Sequence, residues 1–198
     1  MLYKYYLHCI CLLIGFIFLA PDATAERRFE RYQLEQGLSQ NTVNCILQDS
    51  YGFLWVCTQD GLNRFDGYNF KVFQENKESN NSITDDYIIS IVESSQKEIW
   101  VGTRSGGVNK FDPKTESFTA FPNASSSDGI NSDHITAIIE LDNNNLLVGT
   151  PRGLSILNIE TSSFSAIETK YDDKALNVTA LLLDKENDIW VGTKQHGL

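Results

Sequence analysis

One five-residue unit recurs four times along this chain of 198 residues: Leu54-Trp55-Val56-Cys57-Thr58, Ile99-Trp100-Val101-Gly102-Thr103, Leu146-Leu147-Val148-Gly149-Thr150 and Ile189-Trp190-Val191-Gly192-Thr193. The copies stand 45, 47 and 43 residues apart. Self-similarity at a period of 40 to 50 residues means that like units stack, and each unit buries its apolar face only against a neighbour. Each copy follows a second apolar segment: Val43-Asn44-Cys45-Ile46-Leu47, Ile88-Ile89-Ser90-Ile91-Val92, Ile135-Thr136-Ala137-Ile138-Ile139 and Val178-Thr179-Ala180-Leu181-Leu182. These are apolar on both faces, as a strand sandwiched between two layers requires. The stretches between them, Asp49-Ser50-Tyr51-Gly52 and its counterparts, have hairpin-turn composition.

After each Thr comes a Gly-containing turn and a third strand, Gly61–Asp66, Gly107–Asp112 and Gly153–Asn158. A fourth follows in Phe70–Phe73, Phe118–Phe121 and Phe164–Ile167. Helix-pair repeats share this period, but units of four to six β-branched and aromatic residues punctuated by Gly and Asn are strands. The expected fold is therefore all-β, a β-propeller of four-stranded blades, and incomplete. Blades fall near 37–80, 81–125 and 126–170, with an unfinished fourth at 171–198. Phe29-Glu30-Arg31-Tyr32 repeats the pattern of the fourth strands and reads as an orphan outer strand that closes the last blade of a full ring.

The segment 2–20 is apolar but for Lys4 and His8, and ends in Pro21-Asp22-Ala23-Thr24-Ala25 before the charged Glu26-Arg27-Arg28. That is the layout of a signal peptide, residues 1–25, cleaved after Ala25, and it predicts an exported protein. No later apolar run is long enough to span a bilayer. The formal charge of −10 and the dispersed Lys and Arg residues lack the footprint that phosphate-backbone binding needs, so nucleic acid is not an expected partner.

The run from Gly37-Leu38-Ser39-Gln40-Asn41-Thr42-Val43 through Asp49-Ser50-Tyr51-Gly52-Phe53-Leu54-Trp55-Val56 to Gly61-Leu62-Asn63-Arg64-Phe65-Asp66 resembles the two-component regulator propeller repeat. The resemblance extends over nearly all of 29–198; Leu147 replaces Trp in the third copy and Cys57 replaces Gly in the first. It implies a sensor region at the periplasmic face of the inner membrane, binding a small molecule such as an oligosaccharide. It also implies a homodimeric parent that continues into a membrane span and a histidine kinase, so that this chain is the truncated opening part of a longer product. A diguanylate cyclase is the alternative output. A secreted carbohydrate-active propeller and an interaction scaffold are readings from other classes. Kinase chemistry finds no residue here to carry it.

Nothing in the pattern supplies a catalytic residue, a metal site or a cofactor. Asp66, Asp112 and Asn158 recur at one position after the third strand, which marks turn chemistry; Trp55, Trp100 and Trp190 recur within a buried strand, which marks packing. Ligand-binding residues should instead differ from blade to blade and lie on loops where the central channel opens. With the first strand innermost, these are Asn41, Asp86, Tyr87, Asp133, His134 and Asn177 leading into the inner strands, and Asp60, Arg104, Arg152 and Lys194 in the turns after each Thr.

Cys45 and Cys57 remain once the leader, with Cys9 and Cys11, is set aside. A three-residue turn through Ser50-Tyr51-Gly52 places them directly opposite each other. Other blades carry Ser90 with Gly102, Ala137 with Gly149 and Ala180 with Gly192 there, so the sequence favours two small buried thiols, with a disulfide in an oxidising compartment as the alternative.

Overall fold

The structure, a computed structural model, describes residues 29–121, 132–168, 170–171 and 174–198. The expected leader 1–25 and the blade boundary near 125 lie outside these residues. After a 3-10 turn at Leu34–Gln36, the first blade comprises β1 (Val43–Gln48), β2 (Leu54–Thr58), β3 (Leu62–Phe65) and β4 (Phe70–Phe73). The second comprises β5 (Ile88–Glu93), β6 (Ile99–Thr103), β7 (Val108–Asp112) and β8 (Ser117–Phe121). The third comprises β9 (Ala137–Asp142), β10 (Asn145–Thr150), β11 (Gly153–Asn158) and β12 (Ser163–Ile167). A short hairpin of β13 (Lys170–Tyr171) and β14 (Lys174–Ala175) precedes the paired β15 (Val178–Leu183) and β16 (Ile189–Thr193). Each four-stranded sheet is an antiparallel meander in chain order. The β-propeller architecture, incomplete as expected, is thus present. Residues 29–33 belong to no ladder; an extended segment becomes a strand only when a neighbouring backbone pairs with it.

The alternation within each repeat decides what faces which neighbour. Ile99 and Val101 of β6 pack with Trp55 and Cys57 of the first blade, whereas Trp100 packs with Ile138, Leu146 and Leu157 of the third. The Trp and Gly positions therefore face the following blade and the Val position the preceding one. At Gly102 a Cβ would lie 2.6 Å from Ile135 Cγ2, and at Gly149 2.7 Å from Val178 Cγ1, so the inner strand of the next blade occupies the space a side chain would need. At Gly192 the nearest atoms belong only to its own blade, Ala180 and Thr179. Trp55 and Trp100 are buried, but Trp190 is 47% and Leu182 61% exposed; on the first blade's opposite face Val43 and Ile46 are 41% and 62% exposed. The inner strands are apolar on both faces because they are sandwiched, and these two outward faces lack the second slice.

The hairpin turns contain a clasp. Asp49 Oδ1 accepts the N–H groups of Tyr51 and Phe53, and Oδ2 accepts Trp55 Nε1–H at 2.7 Å. In the fourth repeat Asp184 does the same for Glu186, Asp188 and Trp190, and these hydrogen bonds, the indole first, hold its carboxyl below the ordinary Asp range. The second repeat has Ser94, which reaches only Glu98 N–H, and Trp100 Nε1 is buried without a partner. The third has Leu147, and Asp142 turns to Asn144 and Asn145 instead. Asp66, Asp112 and Asn158 each accept from backbone N–H groups two or three residues on, as turn residues do.

Cys45 and Cys57 are register partners, and their sulfurs are bonded at 2.01 Å with Cα atoms 5.0 Å apart. The structure thus adopts the disulfide where the sequence favoured free thiols. The Ser50-Tyr51-Gly52 turn forms as expected, with Gly52 left-handed at φ 92°, and the Cys57 side chain is turned along its own sheet toward Cys45.

Two outcomes follow. Ser94→Asp should give Trp100 Nε1 an acceptor and stabilise the intact protein by about 1 kcal/mol, while Asp49→Ala should destabilise it by about 2–3 kcal/mol through orphaned donors; urea unfolding followed by tryptophan fluorescence measures both, and a destabilising Ser94→Asp would contradict the clasp. Protein made in an oxidising compartment and unfolded without reductant should take up no thiol label at Cys45 and Cys57.

Candidate functional site

The recurrent Thr builds the turns that follow the second strands. Thr58 Oγ1 donates to Gly61 O at 2.8 Å and accepts Asp60 N–H at 3.1 Å. Thr103 does the same with Gly107 O and Gly106 N–H, Thr150 with Gly153 O and Arg152 N–H, and Thr193 with Gly197 O and His196 N–H. A hydroxyl at one fixed position, buried in the first three repeats, thus ties a loop of two or three residues whose own side chains are free to vary. Within the loop it ties, the threonine at the end of β2, β6, β10 and β16 bonds only backbone groups, so it asks nothing of the loop's side chains.

These loops are stitched to the segments that lead into the inner strands. Gly61 N–H donates to Asp86 O at 2.7 Å, Gly107 N–H to Asp133 O at 3.1 Å and Ile135 N–H to Thr103 O at 2.9 Å, each crossing a blade junction. Within a blade, Arg104 N–H donates to Tyr87 O and Lys194 N–H to Asn177 O. The expected binding residues therefore do share one end of the molecule, in pairs: Asp60 with Asp86, Tyr87 with Arg104, Asp133 and His134 with the Arg104 turn, and Asn177 with Lys194. Asn41 is placed differently, its side-chain oxygen accepting Leu34 N–H at the 3-10 turn, and Arg152 is positioned through its N–H on Thr150.

The densest of these groupings is Tyr87, Arg104 and His134. The Arg104 guanidinium carbon lies 4.9 Å above the Tyr87 ring, within the range of a cation–π contact. The Tyr87 hydroxyl accepts the Gln59 amide at 3.0 Å, and its N–H donates to Asp85 Oδ1. Asp85 Oδ2 accepts both the N–H and the hydroxyl of Ser105. Gln59, Asp85 and Ser105 were not among the residues expected from sequence; the recurrent Thr, read as a loop cap, is the signal that points to Gln59 and Ser105, and Asp85 lies in the segment leading into β5. Burial first, and the neighbouring Arg104 charge second, hold the His134 imidazole below its ordinary pKa. Among the described residues no group of three or more His, Cys, Asp and Glu is disposed to hold a metal. A depression of about 40 Å³ lies at the opposite end, among the hairpin turns, beside Tyr51, Phe53, Arg64 and Lys97. It offers room for about one water molecule, too little for an organic ligand.

With this geometry in place, comparison with known proteins identifies the repeats. The two-component regulator propeller family matches residues 37–60, 82–105 and 174–195. Three segments of the chain carry the two-component regulator propeller repeat. The third blade, with Leu147 in place of the clasped Trp, lies outside the matched segments of this regulator propeller. Histidine kinase P4 of Formosa agariphila is 44% identical over 75 residues, 36% of this chain and 6% of that protein. The extracellular domain of a protein classed as a hybrid two-component system in B. thetaiotaomicron superimposes with a TM-score of 0.70 at 29% identity, over 83% of this chain and 24% of that one. A second extracellular domain from the same organism, classed as a one-component system, shares the fold with a TM-score of 0.63 at 23% identity, over 83% of this chain and 22% of that one. The regulator propeller described here therefore spans under a tenth of the kinase and about a quarter of each extracellular domain.

The lowered His134 pKa has a signed consequence. The unfolded chain takes up a proton near 6.5 that the folded chain resists, so stability from this group is complete above that pH and falls as pH drops through the lower folded value. An NMR titration should place His134 below 6.5, and Arg104→Gln should move it part of the way back, burial remaining; an unmoved titration would separate the two side chains.

Proposed function

We propose that this regulator propeller is the ligand-sensing part of an exported sensor in a membrane-bound signalling protein whose output is a histidine kinase. The observation that carries the reading is the superposition of its blades on the extracellular domain of a hybrid two-component system at a TM-score of 0.70. The 44% identity to a histidine kinase favours that output over a diguanylate cyclase. The apolar leader with its small-residue cleavage site supports a periplasmic setting. Among the described residues no helix is long and apolar enough to cross a membrane.

In this reading the propeller supplies binding and positioning, not chemistry. The recurrent Trp, Gly and Thr residues set a rigid stack, and the variable loops at the channel end present Asp60, Asp86, Tyr87, Arg104, Asp133, His134, Asn177 and Lys194 to a small molecule. A ligand that touches loops of adjacent blades at once interacts differently with different blade spacings, which is the requirement for shifting a conformational equilibrium.

Reading the gene downstream of codon 198 tests this directly. The frame is expected to continue through further repeats and a membrane span into a histidine kinase; a frame that leads into a secreted hydrolase would overturn it.

A further inference from the structure

The turns after the second strand carry a cation in three successive blades, Arg104, Arg152 and Lys194, in a chain whose formal charge is −10. Most Lys and Arg side chains that the structure fixes elsewhere are neutralised: Arg64 and Lys71 by Glu116, and Lys110 by Glu98. Arg104 is fixed without being neutralised. Its backbone is pinned to Tyr87 O, its guanidinium carbon lies over the Tyr87 ring, and Tyr87 is itself held through its hydroxyl by Gln59 and through its backbone N–H by Asp85. This cation–π contact spends none of the guanidinium N–H donors on an oxygen acceptor. No carboxylate or carbonyl among the described residues accepts from them.

The nearby acids explain why. Asp85 is committed to Ser105 and to Tyr87 N–H, and Asp86 Oδ1 accepts Glu75 N–H at 2.6 Å. A cation held in place, with exposed N–H donors and with the Asp85 and Asp86 carboxylates bonded elsewhere, matches a planar anion that accepts two parallel hydrogen bonds. His134, brought beside it by the Ile135 N–H to Thr103 O bond, adds a further polar group on the next blade. Asp60 and Asp133 are exposed at the same end and can accept from hydroxyl groups.

We infer that Arg104 seats the carboxylate of a small-molecule ligand at the channel mouth, with the guanidinium forking onto both oxygens. The inference rests on the reading of that mouth as the ligand site and adds the chemical class. Two sources share this chemistry, a uronic acid and a simple organic acid. The hydroxyl-accepting Asp60 and Asp133 suit the first, and the test separates them.

Calorimetric titration of the intact exported protein with glucuronate, galacturonate, glucose, galactose and acetate decides the matter, alongside Arg104→Gln and, as a charge-matched control, Lys114→Gln in the β7–β8 turn. Both side chains are exposed, so the variants should fold, and circular dichroism melts verify that. The expected result is binding of a uronate in preference to its neutral parent, weakened at least about tenfold by Arg104→Gln and unchanged by Lys114→Gln. Binding of acetate alone with the same dependence supports the carboxylate seat and assigns the simple acid as its source. Binding of the neutral sugars only, or of uronates regardless of Arg104, overturns the carboxylate seat while leaving the mouth a ligand site. No binding of any member at millimolar concentration overturns both.

Discussion

The close approach of each inner strand to the blade before it governs the rest of this structure. Ile135 and Val178 fill the space beside Gly102 and Gly149 so closely that no Cβ fits there. Dispersion and the hydrophobic effect reward that contact only when the whole strand lies flat against its neighbour, because interiors are packed to crystal-like density. The consequence is a stack with one repeated geometry, in which Trp and Gly look forward and Val looks back. The first blade departs from the pattern with Cys57, and there the side chain is bonded within its own sheet to Cys45.

Two polar devices keep the stack uniform. At one end, in the first and fourth repeats, an Asp in the hairpin turn holds two backbone N–H groups and the indole of the Trp. At the other a Thr holds both ends of the loop that follows. A third contact ties blade to blade at the hairpin end: the Glu93 carboxylate accepts Ser50 N–H, and Glu140 accepts the N–H and hydroxyl of Ser95. Each satisfies backbone groups that a tight turn would otherwise leave unpaired. Because the loops are closed through backbone groups and residues at fixed positions, the identity of the intervening side chains is not what closes them. That division of labour lets the channel end diversify, as in Gln59, Arg104, Arg152 and Lys194, while the sheets stay the same.

The fold was legible to a large degree because its determinants are local and repeated. The period, the strand faces, the three-residue turn through Ser50-Tyr51-Gly52 and the turn role of Asp66, Asp112 and Asn158 all follow from neighbours in sequence. The candidate site was legible only as a set of loops. Tyr87, Arg104 and His134 come from two segments leading into inner strands and one turn, in different blades, and their meeting depends on a hydrogen bond across a blade junction. Gln59 and Asp85, which fix the Tyr87 ring and backbone, carry no pattern of their own.

What the sequence alone determined is the repeating unit: a recurring Trp, Gly and Thr at constant spacing leaves a four-stranded sheet few other ways to bury its faces. What the tertiary structure decided is everything that depends on how strands and blades meet. It selected the bonded state of Cys45 and Cys57, left the Trp100 indole without the acceptor that Trp55 has, and set Arg104 on Tyr87 with its donors unspent. Each of these turns on distances between strands or blades of a few ångströms, which spacing along a chain does not encode.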